Sequence, residues 1–196
     1  MERKLEIQKV TFTSVMAALA VVFGIINKYV PGLNLEMPQG GSIFGFPMIP
    51  LIFIGLILGV RFGVIGGMIY GLTSLILDGG LYHWASFFTD YLIAFGVLGV
   101  AGFFKKGLYD WKVMILAVFT AGFLRYLSHA IGGAIIFAEF APEGMNPWFY
   151  SFIIYNAPYM LTSTVITAGI SFMLLPVMRR LAIDHLLVQP VINNDL

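Results

Sequence analysis

The sequence contains no cysteine and few charged residues, and both absences restrict what the protein can be. Without cysteine, the chain cannot form disulfides, thiolate metal sites or a cysteine nucleophile. Charged residues make up 11% of the 196 residues and hydrophobic residues 59%, whereas a soluble globular domain has about 25% charged residues. The formal net charge of +1 is too small to indicate a nucleic-acid partner. The composition therefore predicts a protein that lies in a lipid bilayer.

Long apolar runs dominate the chain, and a helix that crosses a bilayer needs about 17 to 25 such residues. The runs are continuously apolar, without the alternation that outer-membrane β-strands require. We therefore predict an all-α, polytopic membrane protein of one domain, residues 1–196, with six transmembrane helices. The predicted helices cover about residues 10–29, 43–58, 62–77, 84–104, 113–137 and 148–178, and residues 181–196 form a predicted cytoplasmic tail.

Some boundaries of these helices stay open. Pro47 and Pro50 interrupt the second run, which only a short segment separates from the third. The sixth run is long enough to tilt, or to end early near Pro176. The apolar run after the charged N-terminus is too long for a signal peptide and lacks a small-residue cleavage site, so we predict a first transmembrane helix there.

The distribution of basic residues indicates how the chain is oriented. With six helices, both termini share one side with the loop between helices two and three and the loop between helices four and five. Nine of the eleven Lys and Arg residues fall on that side. Because the cytoplasmic loops of membrane proteins carry an excess of Lys and Arg, we predict that both termini are cytoplasmic.

Three polar residues lie inside predicted helices, where a polar group is costly to bury and marks a functional site. Counted from the external helix ends at about 1.5 Å per residue, Asp90 lies about 9 Å deep, and His129 and Asn156 about 12 Å deep. A carboxylate, an imidazole and an amide thus share one level, which predicts a pocket open to the outside. The alternatives are structural: an ion pair between Asp90 and Arg125, and helix-packing hydrogen bonds from His129 and Asn156.

Aromatic residues surround this level and indicate the kind of ligand. A carboxylate among aromatic rings can hold an organic cation by charge pairing and cation–π attraction. A metal ion is less favoured, because one Asp and one His supply too few ligands. The aromatic residues are Tyr91, Tyr126, Phe137, Trp148, Tyr150, Tyr155 and Tyr159.

Neither G-x-S-x-G nor H-E-x-x-H occurs in the sequence, so an intramembrane hydrolase is a minor alternative and we expect no enzymatic activity.

The first predicted helix carries small residues at helical spacing, including Ala17, Ala20 and Gly24. Small residues allow helices in a membrane to approach each other closely. Two interpretations stay open. The residues pack within this chain, or Ala17, Ala20 and Gly24 form a face that docks a separate membrane subunit.

Short stretches in and between the predicted helices carry a resemblance to a known family. The most specific stretch is APEGMNPW, residues 141–148. The others are Gly40-Gly41-Ser42, Met48-Ile49-Pro50, His83 with Asp90-Tyr91-Leu92 and Ala94-Phe95, Arg125-Tyr126 with His129, Tyr150-Ser151 and Tyr155-Asn156. Together they resemble the thiamine-specific S component of energy-coupling factor transporters, the ThiT family, most clearly over about residues 39–156.

The resemblance implies a vitamin-binding protein without enzymatic activity, whose substrate site lies near the outer surface. It implies two kinds of partner: a transmembrane coupling subunit that meets the small-residue face of helix one, and two ATPase subunits. The ATPases would use ATP, so this chain itself would need no cofactor. The alternatives are another vitamin or a thiamine precursor as substrate, or a six-helix protein without a transport role. The implied contacts to thiamine come from Asp90, Tyr91, His129, Phe137, Tyr150 and Asn156.

The chain departs from the family at several of these positions. Asp90 stands where some relatives have Glu, and Phe137 stands where some have Trp. Phenylalanine offers weaker cation–π attraction than tryptophan. The loop between helices one and two, which the resemblance places over the site, has Met37, Pro38 and Gln39 where some relatives place a Trp.

Overall fold

The computed structural model describes residues 2–38, 40–185 and 187–188 of the chain. Apart from one isolated bridge between Glu36 and Ser42, the regular secondary structure of these residues is helical, which confirms the predicted all-α class. Gln39 and the predicted tail from residue 189 onwards lie outside the described residues. The six main helices are α1 (Glu2–Tyr29), α2 (Met48–Leu58), α3 (Val60–Asp78), α4 (Phe87–Leu108), α5 (Trp111–Ile135) and α6 (Pro147–Asp184), with a 3₁₀ turn at Ala138–Phe140.

Five of these helices, α1 and α3 to α6, are long and apolar enough to cross a membrane, so the chain is a multi-pass membrane protein. The exception is α2, which has 11 residues. It rises about 17 Å at 1.5 Å per residue, roughly half of a hydrocarbon core of about 30 Å. Ten of its residues are buried, and it contacts each of the other five helices. The shortest helix is therefore the centre of the bundle.

The predicted second helix, residues 43–58, begins too early. Residues 43–47 are not helical, and α2 begins at Met48 with Pro47 in the N-cap position. Pro50 falls in the first turn, where its missing N–H removes no helical hydrogen bond. The two prolines therefore set where α2 begins rather than breaking it.

Other predicted boundaries shift by smaller amounts. α1 begins at Glu2 rather than near residue 10, and α6 continues through Pro176 to Asp184. Proline inside a transmembrane helix is tolerated, because neighbouring groups can satisfy the carbonyl that it leaves unpaired. Phe137, predicted to end helix five, lies just after the last residue of α5.

The non-helical segment from Gly40 to Pro47 carries backbone groups that need partners within the protein, since the bilayer core supplies none. Ser163 Oγ on α6 shares its one proton between two successive carbonyls of the segment, at 3.0 and 2.9 Å. Thr167 Oγ1 donates to a third carbonyl at 3.2 Å, and Asn27 Nδ2 on α1 donates to a fourth. The accepting carbonyls belong to Ser42, Ile43, Gly45 and Phe44, respectively.

Two helices contain π-helical turns at the same end of the bundle. α4 begins with a π-helical turn, Phe87–Leu92, and α6 contains one at Tyr150–Asn156. The rest of α4 is a short α-helical piece followed by a 3₁₀ segment, Val97–Leu108. Since π-helical turns are rare and frequently lie at functional sites, they indicate a functional site at this end of the bundle.

Glycines let α3 and α4 approach until their backbones touch. A Cβ at Gly67 would meet the carbonyl of Phe95, and a Cβ at Gly102 would meet the backbone of Gly59 and Val60. Any side chain at these two positions would push the helices apart. The contact therefore fixes the position of α4, and with it the π-helical turn, relative to α3.

Replacing Gly67 by alanine should destabilise the protein, because the added methyl group would collide with backbone that cannot rotate away. Overpacking of this kind costs about 1 to 3 kcal/mol, which should appear as a lower unfolding temperature of the purified protein in detergent. Gly169→Ala is the matched control, since nothing lies within 4 Å of a Cβ there and alanine favours the helix. A Gly67→Ala variant as stable as the unmodified protein would contradict the backbone contact.

Candidate functional site

A cavity of about 530 Å³ lies at the end of the bundle where α4 and α6 begin. Its walls come from the last turns of α1, α3 and α5, from the first turns of α4 and α6, and from the loop between α1 and α2. Small-molecule sites typically occupy roughly 300 to 1,000 Å³, so the size suits such a ligand. The cavity is lined by all six residues that were predicted to contact substrate: Asp90, Tyr91, His129, Phe137, Tyr150 and Asn156.

Asp90 and His129 form the polar centre of the cavity. His129 Nδ1 lies 3.1 Å from Asp90 Oδ1, and 13% of the His129 side chain and 23% of the Asp90 side chain are exposed. Arg125, one helical turn before His129, donates its Nε–H to His129 Nε2 at 3.4 Å. The ion pairs of the described residues do not include Arg125 with Asp90. The alternative of a direct Asp90–Arg125 pair is thus replaced by a chain that runs through the imidazole.

The inner end of the cavity is aromatic and holds the guanidinium of Arg125. Arg125 Cζ lies 4.4 Å from the centroid of the Phe95 ring, an arrangement in which cation–π attraction stabilises a buried cation. Phe95 in turn packs edge-on against Tyr70 of α3, with ring centroids 4.5 Å apart. Both rings are buried, so this end of the cavity is fixed by packing.

Asn156 belongs to the cavity wall, and its amide is occupied within α6. Nδ2 donates to the carbonyl and the hydroxyl of Ser151, at 2.9 and 3.0 Å. Oδ1 accepts a hydrogen bond from Tyr159 at 2.8 Å. Only 2% of the residue is exposed. Asn156 therefore holds the π-helical turn of α6 together and shapes the wall.

Hydroxyl groups tie α5 to both π-helical turns. Ser128 Oγ donates to the carbonyl of Thr89 at 2.6 Å, and Tyr126 donates to the carbonyl of Phe152 at 3.0 Å. Ser151 Oγ donates in the other direction, to the carbonyl of Ala130 on α5, at 2.7 Å. These bonds satisfy backbone groups at membrane depth, and they set the direction in which Asp90 and Asn156 project.

The loop between α1 and α2 is held against the cavity by Tyr155. The Tyr155 hydroxyl donates to the carbonyl of Pro38 and accepts the N–H of Gly41 at 3.3 Å. Gly41 also lies against the ring of Tyr159, where a Cβ would come within 2.9 Å. One phenol thus makes two bonds to the loop that covers this side of the cavity.

A cluster of aromatic rings covers another side and includes Phe137. The ring of Tyr82 lies 5.4 Å from that of Phe137 and 5.3 Å from that of Phe140. The Tyr82 hydroxyl donates to Glu139 Oε1 at 2.6 Å, and this hydrogen bond raises the pKa of the Tyr82 phenol. Tyr82 therefore remains a donor near neutral pH and links the loop before α4 to the loop after α5.

A pair of charged residues closes the side of the cavity between α1 and α3. Lys28 Nζ donates to Asp78 Oδ1 at 3.1 Å and to the carbonyl of Leu77 at 2.8 Å. Tyr91 lines the cavity together with Asp78. Because Lys28 and Asp78 are 34% and 43% exposed, the ion pair itself adds little stability. Its effect is to join the end of α1 to the end of α3 at the cavity.

The chemistry of the cavity is that of a site for an organic cation. It combines three carboxylates, Glu36, Asp78 and Asp90, with an imidazole hydrogen-bonded to Asp90 and several aromatic faces. Among the described residues, His, Asp and Glu nowhere form a group of three that could hold a metal ion. The arrangement therefore favours a ligand held by charge and ring contacts.

Several cavity residues were absent from the predicted set. Arg125 could have been predicted from the sequence, since a charged residue inside a transmembrane helix is rare. Tyr155 and Tyr159 lie four positions apart, which places them on one helix face beside Asn156. Tyr70 and Phe95 gave no such signal, because buried aromatic residues in apolar helices are ordinary core residues.

The small residues of α1 do not form the predicted docking face. Ala17 and Ala20 are 2% and 0% exposed, and a Cβ on Gly24 would come within 2.8 Å of the Tyr70 hydroxyl. They pack inside the chain, so this prediction is wrong and the packing alternative holds. The outward face of the same helix instead presents Ser14, Val15, Ala18 and Leu19.

The chain is similar to known proteins along most of its length. Residues 10–183 match the family described as Thiamine transporter protein (Thia_YuaJ). The chain is 36% identical over 167 residues to the thiamine transporter ThiT of Bacillus subtilis, covering 79% of this chain and 83% of the relative. It is 28% identical over 179 residues to the thiamine transporter ThiT of Lacticaseibacillus paracasei, covering 84% of this chain and 85% of the relative. A solved structure of ThiT from Listeria monocytogenes has the same fold, with a TM-score of 0.74 at 21% identity over 90% of this chain and 98% of that chain.

Tyr155→Phe should loosen the loop over the cavity, because it removes both hydrogen bonds of the hydroxyl and keeps the ring. At about 1 kcal/mol for each of the two hydrogen bonds, we expect roughly thirtyfold faster hydrogen exchange in a peptide covering residues 40–45. Tyr150→Phe is the matched control, since it removes a hydroxyl from the adjacent ring and leaves both bonds in place. Equal exchange in the two variants would remove Tyr155 from this role.

Proposed function

Since the chain belongs to the Thia_YuaJ family of thiamine transporter proteins, we propose that it is the thiamine-binding component of an uptake transporter in the cell membrane. One structural observation carries the proposal: a partly buried carboxylate, Asp90, lies in an aromatic-lined cavity large enough for a small molecule. The names of the relatives, both thiamine transporters, support the same substrate.

The chemistry of thiamine matches the cavity. Thiamine joins a thiazolium ring, which carries a permanent positive charge, to an aminopyrimidine ring. Because the thiazolium nitrogen is quaternary and has no N–H proton to lose, the ring stays charged at neutral pH, and its charge must be balanced when it leaves water. Asp90 supplies that countercharge in our proposal, and Phe137 and Tyr150 supply ring faces on the same cavity.

The remaining predicted contacts take different roles in this proposal. His129 is hydrogen-bonded to Asp90 and lies beside the ligand, while Tyr91 contacts the ligand from the cavity wall. Asn156 contributes mainly the shape of the wall, since its amide is already bonded to Ser151 and Tyr159. In this proposal, the six predicted residues thus supply a countercharge, ring contacts to the ligand, or support for the cavity wall.

We further propose that the cavity opens to the outside of the cell and that both termini are cytoplasmic. The opposite end of the bundle holds the start of α1 and the turns between α2 and α3 and between α4 and α5. Most Lys and Arg residues lie at that end, as expected for a cytoplasmic surface. Acidic residues at the cavity end, such as Glu36 and Asp78, would attract a cation from outside.

The energy for uptake would come from partner proteins. The resemblance to S components supports a transmembrane coupling subunit and two ATPase subunits, with ATP bound by those subunits. We propose that the coupling subunit docks on the outward face of α1. On this face Ser14 and Ala18 lie four residues apart, and each is followed by an exposed apolar residue, Val15 or Leu19. Small residues at this spacing permit a close helix contact.

Purified protein should bind thiamine in a saturable titration followed by tryptophan fluorescence or calorimetry, and Asp90→Asn should weaken that binding. The substitution keeps the shape and removes the charge, and a charge-assisted contact contributes roughly 1.5 to 3 kcal/mol, about ten- to a hundredfold in affinity. Asp184→Asn, at an exposed carboxylate at the far end of α6, is the control and should bind as the unmodified protein does. Unchanged affinity in folded Asp90→Asn would remove this carboxylate from the site.

Ala18→Trp should separate binding from uptake. A bulky side chain on the outward face of α1 blocks a close helix contact and lies away from the cavity, so thiamine affinity should be retained. Co-purification with the coupling subunit and thiamine uptake by cells should both fall. Ser171→Ala, on a buried face of α6, is the control and should leave the co-purification intact. Normal uptake by the Ala18→Trp variant would exclude this docking face.

A further inference from the structure

Arg125 is a cation in the inner part of the cavity that has no carboxylate partner among the described residues. Its guanidinium lies against the Phe95 ring, and its one side-chain hydrogen bond goes to His129 Nε2. Burying a charge is costly unless something compensates for it. The position of Arg125 therefore calls for a role other than a simple ion pair.

The two hydrogen bonds of His129 define its protonation state. Nε2 accepts the N–H of Arg125, so this nitrogen must carry a lone pair. Nδ1 faces the Asp90 carboxylate, which only accepts hydrogen bonds when ionised, so this nitrogen must carry the proton. An imidazolium has no lone pair for Arg125, and the other neutral tautomer would set two lone pairs against each other at Asp90. Only the neutral Nδ1–H form makes both bonds.

We propose that Arg125 is a positioning residue that keeps His129 neutral with its proton on Nδ1, and that this leaves the Asp90 carboxylate charged. A neutral imidazole stabilises that carboxylate through one hydrogen bond and does not cancel its charge. An imidazolium would pair with Asp90 and neutralise the group that a cationic ligand needs. The consequence for ligand binding rests on the proposed function, whereas the state of His129 does not.

Two features of the surroundings oppose protonation of His129: its burial, which takes a charge out of water, and the adjacent cation of Arg125. Asp90 favours a charged imidazole, because it lies within hydrogen-bonding distance. Tyr159 packs its ring 6.3 Å from the imidazole and donates its hydroxyl to Asn156 instead. Without Arg125, a protonated His129 would be the cation that balances the partly buried Asp90 carboxylate. The other titratable groups that line the cavity with this pair are Lys28 and Tyr29 of α1, Glu36 of the loop after α1, Tyr70 and Asp78 of α3, Tyr82 before α4, Tyr91 of α4, and Tyr150 and Tyr155 of α6.

Nitrogen NMR of histidine-labelled protein at neutral pH measures this state directly and needs no ligand. The chain has three histidines, so His83→Gln and His185→Gln, both at exposed positions, leave His129 as the only signal. We expect one protonated and one unprotonated ring nitrogen, with the proton on Nδ1. In Arg125→Met, both ring nitrogens should be protonated. Arg125→Lys, which keeps a cationic donor, should restore the neutral form, and Arg61→Met, at an exposed site, should not change it.

Two results of the NMR experiment would overturn the proposal: an imidazolium in the unmodified protein, or a neutral imidazole that persists in Arg125→Met. Because no thiamine is present, neither result bears on the proposed function, and absent thiamine binding would leave the NMR outcome unaffected.

Thiamine affinity provides the second readout. Arg125→Met should weaken binding about tenfold, since the Asp90 charge is then taken by His129. In a His129→Gln background the same change should cause no further loss, because Arg125 acts through the imidazole. An equal tenfold loss in that background would make Arg125 a direct ligand contact and overturn its assignment as a positioning residue.

Discussion

The fold depends on one constraint: backbone that is not helical must find every hydrogen-bond partner inside the protein when it lies in a bilayer. The segment from Gly40 to Pro47 meets this constraint through hydroxyl and amide groups on α1 and α6. Because those groups hold the segment, α2 can be short and the cavity can occupy the space that a longer helix would fill. Gly40, Phe44 and Pro47 accordingly line the cavity. The loop is thus part of the cavity wall as well as a connection.

The same principle organises the opposite wall. The π-helical turns of α4 and α6 displace backbone carbonyls from the usual helical pattern, and hydroxyls of Ser128 and Tyr126 take up two of them. The turns then present Asp90 and Asn156 toward the same space. The cavity therefore combines a rigid frame of backbone and hydroxyl bonds with a small set of charges, Asp90 and Arg125, that are linked through His129.

Sequence reasoning located the cavity because depth in a membrane helix can be counted residue by residue, and Asp90, His129 and Asn156 fell at one level. It could not choose between partners: Arg125 and His129 share a helix face, and only the three-dimensional structure shows that the imidazole stands between Arg125 and the carboxylate. Periodicity also cannot say which side of a helix meets another helix, so Ala17 and Ala20 looked equally suited to inside and outside. The start of α2 was misplaced because an apolar run gives the same signal whether it is helical or extended.

The enclosed position of α2 has a consequence for how the protein responds to its membrane. A helix that faces lipid must match the hydrocarbon thickness, and a mismatch is relieved by tilting the helix or deforming the bilayer. α2 is covered by the other five helices, so its short length creates no such mismatch. Changes in bilayer thickness therefore act on the five long helices around α2. The segment that leads into α2 lines the cavity, so the cavity wall is attached to the helix that such changes do not act on directly.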